Sequence, residues 1–255
     1  YLSACRLKLN TISTYMRMLR CIYNKGGGAH QTPYVHRLFR DVFTGVDTRQ
    51  KKAIPVNELH TLLYTDPQSE KLRRTQAIAN LLFSFCGMPF VDLAHLEKSN
   101  LEGNILKYNR TKTGTPMSVE ILESASDIVS RLRNFHSSVL PEHPDYLFYI
   151  LSGKNKRDEE AAYKEYQSTL RRFNNDLKSL ARKLHIRSAV TSYTFRHSWA
   201  TTAKYRGVPI EMISESLGHK SIKTTQIYLK GFDLNERTKV NRLNYSYVRN
   251  YRGIL

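Results

Sequence analysis

Six side chains, Arg110, Lys112, Tyr193, Arg196, His219 and Tyr228, have types and an order that suit chemistry on an anion. An arginine presents a planar fork of donors that matches the oxygens of a phosphate group, and it stays charged near neutrality. A histidine adds a further hydrogen bond. A lysine on its flexible stem can protonate a departing oxygen, and a tyrosine oxygen can attack as a nucleophile. Such a set can break a phosphodiester without metal, because it supplies a nucleophile, cationic donors for the charged transition state, and an acid. Each residue also has an ordinary reading. One tyrosine among 16 usually just covers apolar surface. His219 follows Gly218 and can cap a helix end. Lys112 alone is a solvated turn residue, and Arg196 alone is a surface charge or a DNA backbone contact.

The elements that must carry these residues read as mostly helical with one small antiparallel sheet, an α+β chain. Residues 105–121 change period: Leu106, Tyr108, Arg110 and Lys112 alternate with the opposite face, as do Met117, Val119 and Ile121. With a turn at Thr113-Gly114-Thr115-Pro116 between them, the stretch predicts a β-hairpin with Lys112 at its tip. Helices are expected over 11–25, closed by Gly26-Gly27-Gly28, over 74–86, 89–97 and about 123–138, and over 163–184. The last has Tyr166, Leu170, Phe173, Leu177, Leu180 and Leu184 on one stripe, with Arg171, Arg172, Lys178, Arg182 and Lys183 off it on a solvated face. Residues 210–229 imitate a helix-turn-helix, but Ile222, Ile227 and Leu229 predict a second helix too buried to read a major groove.

The stretch 191–230, TSYTFRHSWATTAKYRGVPIEMISESLGHKSIKTTQIYLK, resembles the C-terminal signature of tyrosine recombinases of the phage-integrase type. Arg196 matches the arginine of their H-x-x-R motif. Leu217-Gly218-His219 matches their L-G-H, and Tyr228, nine residues after His219, matches the nucleophile. The resemblance extends over nearly the whole chain. It implies a partial core-DNA-binding domain over 1–45, a linker at 46–51 and a catalytic domain over 52–255. The tail from about 232 would dock on a neighbouring protomer. It implies attack by Tyr228 to form a 3′-phosphotyrosyl link, Arg196 and His219 on the nonbridging oxygens, and Lys112 as the acid for the 5′-oxygen. Double-stranded attachment sites, a homotetramer on DNA, an accessory DNA-bending protein and no cofactor follow from the same likeness. The wording GMPFVDLAHLEKS (87–99) resembles integrases of mobile elements, including conjugative transposons, of Bacteroides and its relatives.

Two positions depart from that pattern. Tyr193 replaces the histidine of H-x-x-R; its phenol can donate to phosphate but is a poor base near neutral pH, and a structural role fits equally. The family's first catalytic arginine stands three residues before an acid. Here the acid is Asp92 and that position is Pro89, while Cys86, where some relatives carry arginine, reads as packed core. Arg110, two residues before Lys112 on the strand, is the candidate substitute.

Composition agrees with a polyanion partner. Forty Lys+Arg against 22 Asp+Glu give a net charge of +18, and neutralising phosphates releases counterions. Arg6, Lys8, Arg17, Arg20, Lys25, Arg37 and Arg40 interleave with aromatics in the first 45 residues. The three cysteines are far apart, which argues against a disulfide scaffold or zinc finger and for reduced thiols in a cytosolic protein, and the resemblance implies a bacterial cytoplasm. No apolar run reaches the roughly 18 residues of a membrane span. The chain opens at Tyr1 and reads as part of a longer protein. The competing expectation is a DNA-binding protein of the same fold with weak or absent catalysis, motivated by the missing arginine and by Tyr193. A phosphotyrosyl nuclease or type IB topoisomerase is a subsidiary enzyme reading.

Overall fold

The computed structural model describes residues 7, 9–26, 42, 53–139, 145–154, 157–229 and 234–250, with residues 26, 135–139, 227–228 and 234–236 described by backbone alone. The chain divides into two units, Tyr1–Lys51 and Lys52–Leu255. In the first, the described element is helix α1, Leu9–Gly26. It ends on Gly26, where the expected glycine stop begins. Its Tyr15, Leu19 and Ile22, which share one helical face, are exposed. The linker expected at 46–51 lies outside the described residues.

The second unit is helical around a three-stranded sheet. Its elements are α2 (Val56–Tyr64), α3 (Glu70–Ser84), α4 (Phe90–Ala94), β1 (Leu101–Glu102), β2 (Ile105–Asn109), β3 (Pro116–Glu120) and α5 (Glu123–Val139). There follow α6 (Glu159–Lys183), α7 (Ser192–Tyr205), α8 (Ile210–Ser216), α9 (Ile222–Tyr228) and α10 (Leu234–Arg249). Helix α3 is central, with α2, α5, α6 and α7 packed on it. Its Ile78, Leu81 and Leu82 meet Leu62 of α2, Phe173, Leu177 and Leu180 of α6 and Phe195 of α7 in one core. Removing such side chains from water stabilises by about 1.5–3 kcal/mol each. A smaller apolar cluster of Ala200, Ile213, Leu217 and Leu229 ties α7, α8 and the end of α9 together.

Several expected boundaries move. Helix α3 starts at Glu70, four residues before the expected 74, behind Ser69 in extended conformation. The helix expected over 89–97 is only α4, because His95 leaves helical geometry and the chain then bends through a 3-10 turn at Lys98–Asn100. Helix α6 starts at Glu159, where the Asp158 carboxylate accepts from the Ala161 N–H at 3.0 Å. Two acids in its first turn and two bases in its last suit the helix dipole. Helix α2 had no sequence expectation; Leu59, Leu62 and Leu63 give it a one-sided apolar face too short to stand out.

The β-hairpin forms in the expected place with a longer loop. Strands β2 and β3 pair Leu106 with Val119 and Tyr108 with Met117. The connection covers 110–115 rather than 113–116, and Pro116 opens β3 opposite Asn109. A proline at the first residue of a strand loses no ladder bond that the sheet needs. The β1 strand completes the sheet order β1-β2-β3.

Candidate active site

The site is assembled where the hairpin loop, the turn after α3, α7 and the α8–α9 turn converge. Arg196, on the first half of α7, is 2% exposed. A reciprocal pair of bonds between Thr191 and Thr194 fixes the start of that helix and so the height of Arg196. Its Nη1 donates to the Gly87 carbonyl at 3.0 Å and its Nη2 to the Leu217 carbonyl at 2.5 Å. Gly87 has φ +66°, and a Cβ there would lie 2.9 Å from the Arg196 Cα. Glycine is therefore required for the turn after α3 to seat against α7.

Arg110 reaches the same place from the hairpin. It is 6% exposed; its Nε donates to Asp92 Oδ2 at 3.2 Å and its Nη1 to the Leu217 carbonyl at 2.5 Å. The other Asp92 oxygen accepts from the Thr111 N–H at 2.9 Å. Two buried guanidiniums thus meet on one carbonyl oxygen, and one carboxylate, Asp92, pairs with Arg110. Such a spot carries excess positive charge and favours an incoming anion. The strand alternation that put Arg110 and Lys112 on one face does not hold, because β2 ends at Asn109. Arg110 turns inward onto Asp92, whereas Lys112 is exposed at the loop tip.

His219 completes the cluster. Its Nε2 lies 3.2 Å from Arg196 Nη2 and its Nδ1 2.8 Å from Thr225 Oγ1. Since an arginine only donates, Nε2 is the acceptor, and Nδ1 carries the proton toward Thr225. Burial, then the charges of Arg196, Arg110 and Lys112, push the imidazole down to about 4, so it is neutral at pH 7. Gly218 holds φ +63°, and a Cβ there would lie 2.5 Å from Arg110 Cδ and 2.7 Å from Met117 Sδ. The glycine of the L-G-H motif is thus a space requirement for Arg110 as well as a turn requirement.

The remaining candidates stand differently. Tyr228 is the last residue of α9, one turn after Thr225, which is fully buried and bonded to His219. That bond fixes the helix bearing Tyr228 to the arginine cluster. Tyr193 is 40% exposed, one turn before Arg196, with its ring 5.2 Å from that of His197. Cys86 has φ +54° and packs against the main core, as the sequence reading expected. Ile222 is 40% exposed, contrary to expectation; α9 instead buries Thr225 and closes on Leu229. Sequence reasoning passed over the Leu217 carbonyl as the shared acceptor and Thr225 as the histidine's partner. Backbone carbonyls carry no side-chain signal; Thr225 lies within the matched stretch 191–230, between His219 and Tyr228.

Known proteins of similar sequence and fold identify the family. The model of the phage integrase family matches residues 52–234. A tyrosine recombinase of Thermosipho africanus is 23% identical over 235 residues, covering 92% of this chain and 73% of that protein. The tyrosine recombinase XerA of Pyrococcus furiosus is 30% identical over 195 residues, covering 76% of this chain and 62% of its own. The chain therefore spans under two thirds of that archaeal relative. Among solved structures, a Tn1549 transposon integrase (residues 82–397) in complex with circular intermediate DNA has a TM-score of 0.65 at 15% identity. That likeness covers 95% of this chain and 82% of the other, and it concerns the fold. Among the described residues no helix is long and apolar enough to cross a membrane. With the family model matched across most of the chain, and the arginine, L-G-H and tyrosine motifs on elements that converge, the chain belongs to the phage integrase family, the tyrosine-type site-specific DNA recombinases.

Proposed function

We propose that this domain cuts and rejoins DNA through Tyr228, with Arg110 in the place of the family's first arginine. The observation that carries the reading is the meeting of Arg110 and Arg196 on the Leu217 carbonyl beside His219. A phosphodiester entering there replaces that carbonyl as acceptor for both forks. The Tyr228 oxygen attacks phosphorus as its own proton passes to the neutral His219 Nε2, the bond to the 5′-oxygen breaks, and Lys112 gives a proton to that oxygen. The products are a 3′-phosphotyrosyl link and a free 5′-hydroxyl. Attack by the 5′-hydroxyl of a second strand reverses the step, and the phosphate bond energy is kept. The arginines hold the nonbridging oxygens more tightly as charge grows in the transition state. His219, once protonated at Nε2 by that transfer, adds a hydrogen bond to a nonbridging oxygen. Tyr193 stands at the edge of the cluster, beside His197, where it supports α7.

The wider reading rests on the same family. Residues 1–45 grip duplex backbone, two attachment sites are held by a tetramer, and an accessory bending protein shapes the DNA. Helix α10 docks on a second copy, a use that suits its exposed Val240, Leu243 and Tyr247. Integration of a mobile element in a bacterial cytoplasm is the setting, in line with the fold likeness to a transposon integrase. Retention of a second buried guanidinium beside Asp92 favours catalysis over a binding-only protein. The test is the polarity of the products from a nicked duplex carrying the attachment site. Protein attached to the 3′ side and a 5′ end that accepts phosphate from polynucleotide kinase support the scheme. Protein on the 5′ side overturns it.

A further inference from the structure

Away from the arginine cluster, at the other end of α3, a cavity of about 790 Å³ opens between α3, α5 and α6. Its walls include Ile78, Phe90, Leu132 and Phe173, all nearly buried, with the Phe90 and Phe173 rings stacked at 4.7 Å. Its rim is cationic. The two acids there are already engaged: Asp176 with Lys71 at 2.6 Å and Glu70 with Arg73 at 3.4 Å. Arg131 of α5 and Arg172 of α6 line the same cavity with no carboxylate in salt-bridge range among the described residues. Arg74, which also lines the cavity, is half-buried, donates to the Tyr149 carbonyl and lies over the Tyr149 ring at 5.6 Å. Burial chiefly, and more weakly the charge of Arg172, lower its pKa.

We propose that this cavity binds a small organic anion with an apolar body and a phosphate or carboxylate head. The body fills the space over Phe90 and Phe173, and the head lies between Arg131 and Arg172. The volume falls within the range of small-molecule sites, and apolar walls with a few convergent charged groups are their usual lining. Arginine forks match phosphate and carboxylate heads. Charge excludes the chain's own tail as occupant: α10 carries Arg237, Lys239, Arg242 and Arg249 and would meet a rim of its own sign. An occupant would touch Phe90, two residues before Asp92 on α4, and so the helix that anchors Arg110.

The test is direct binding without DNA, which leaves it independent of the recombinase reading. Titration of the whole chain with 1-naphthyl phosphate and 1-naphthoate is followed by calorimetry, with 1-naphthol and inorganic phosphate as the single-feature controls. At least one naphthyl anion is expected to bind at submillimolar concentration, tenfold or more tighter than either control. Arg131→Ala and Arg172→Ala should each weaken it about tenfold or more, the loss of one charge-assisted bond. Arg171→Ala, an equal loss of charge on an exposed neighbour outside the cavity, should leave it unchanged. Ala77→Trp fills the cavity without altering charge and should abolish binding; the arginine variants, both at exposed positions, carry the test if that one misfolds. Equal binding by Arg171→Ala and Arg172→Ala, equal loss from both, or no binding of either anion below millimolar concentration overturns the proposal. So does displacement of the probe by a peptide of residues 234–250.

Discussion

Replacing Arg110 separates the proposed chemistry from mere architecture. The Asp92 side chain is fully buried, and Arg110 is its one cationic partner among the described residues. Arg110→Ala would leave that carboxylate with the Thr111 N–H alone, and breaking a buried pair from one side costs about 3–5 kcal/mol. Against a usual total of about 5–15 kcal/mol, this variant is unstable enough to confuse any rate. Arg110→Lys keeps a charge near Asp92 but cannot bridge Asp92 and a phosphate with one ammonium. Arg110→Met with Asp92→Asn removes both charges and leaves no buried ion unpaired. For each, single-turnover cleavage of a nicked duplex is measured beside urea unfolding. Loss of one donor to the transition state is worth about 10²–10³ in rate. Both variants should therefore fall at least about a hundredfold while keeping a cooperative unfolding transition. A folded Arg110→Lys or double variant that cleaves at the wild-type rate refutes the assignment of Arg110 to the phosphate.

Three further outcomes follow from the same geometry. Gly218→Ala should cut cleavage about as deeply as Arg110→Lys, because its Cβ lands 2.5 Å from Arg110 Cδ; Gly114→Ala, at φ +67° with nothing within 4 Å, should cost only backbone strain and leave cleavage near wild type. His219 should titrate near 4 in the free protein by NMR and move upward when inorganic phosphate occupies the arginines. Because its folded pKa lies below the ordinary 6.5, the unfolded chain binds more protons between those values. Its contribution is present above pH 6.5 and is lost as pH falls through about 4, so the stability gap between wild type and His219→Gln should shrink on acidification, by about 1–2 kcal/mol once its partial exposure is discounted. An unchanged gap would contradict the neutral, buried imidazole. Lys112→Ala should slow cleavage about 10²–10⁴-fold on ordinary DNA and recover on a substrate with sulfur at the 5′-bridging position, which leaves without a proton. No recovery would give the proton to another group.

Much of this site was legible because its residues carry strong local signals. A hairpin announces itself by alternation about a Thr-Gly-Thr-Pro turn, and Arg196, His219 and Tyr228 sit at fixed spacings on neighbouring elements. What failed was parity near an element's end. Arg110 and Lys112 are two apart, yet the strand stops before either, and a buried carboxylate 18 residues upstream decides where Arg110 goes. Ile222 was expected inside and is half outside for a related reason: a seven-residue helix has one narrow buried face, and Thr225 takes it to reach His219. Hydropathy does not anticipate a threonine winning over an isoleucine. Helix α2 escaped because nine residues hold too few turns to establish a period. The shared Leu217 acceptor escaped because every residue has a carbonyl, and only the fold says which one two arginines will find.

The most direct measurement of the central claim is covalent capture. The whole chain is offered a nicked suicide duplex bearing its attachment site, without metal, and run on a denaturing gel beside Tyr228→Phe, with the adduct digested for mass spectrometry. The account predicts a protein–DNA adduct in the wild type, its phosphate on the Tyr228 peptide, and none from Tyr228→Phe. Tight binding of the site with no adduct, or an adduct that survives Tyr228→Phe, would contradict it.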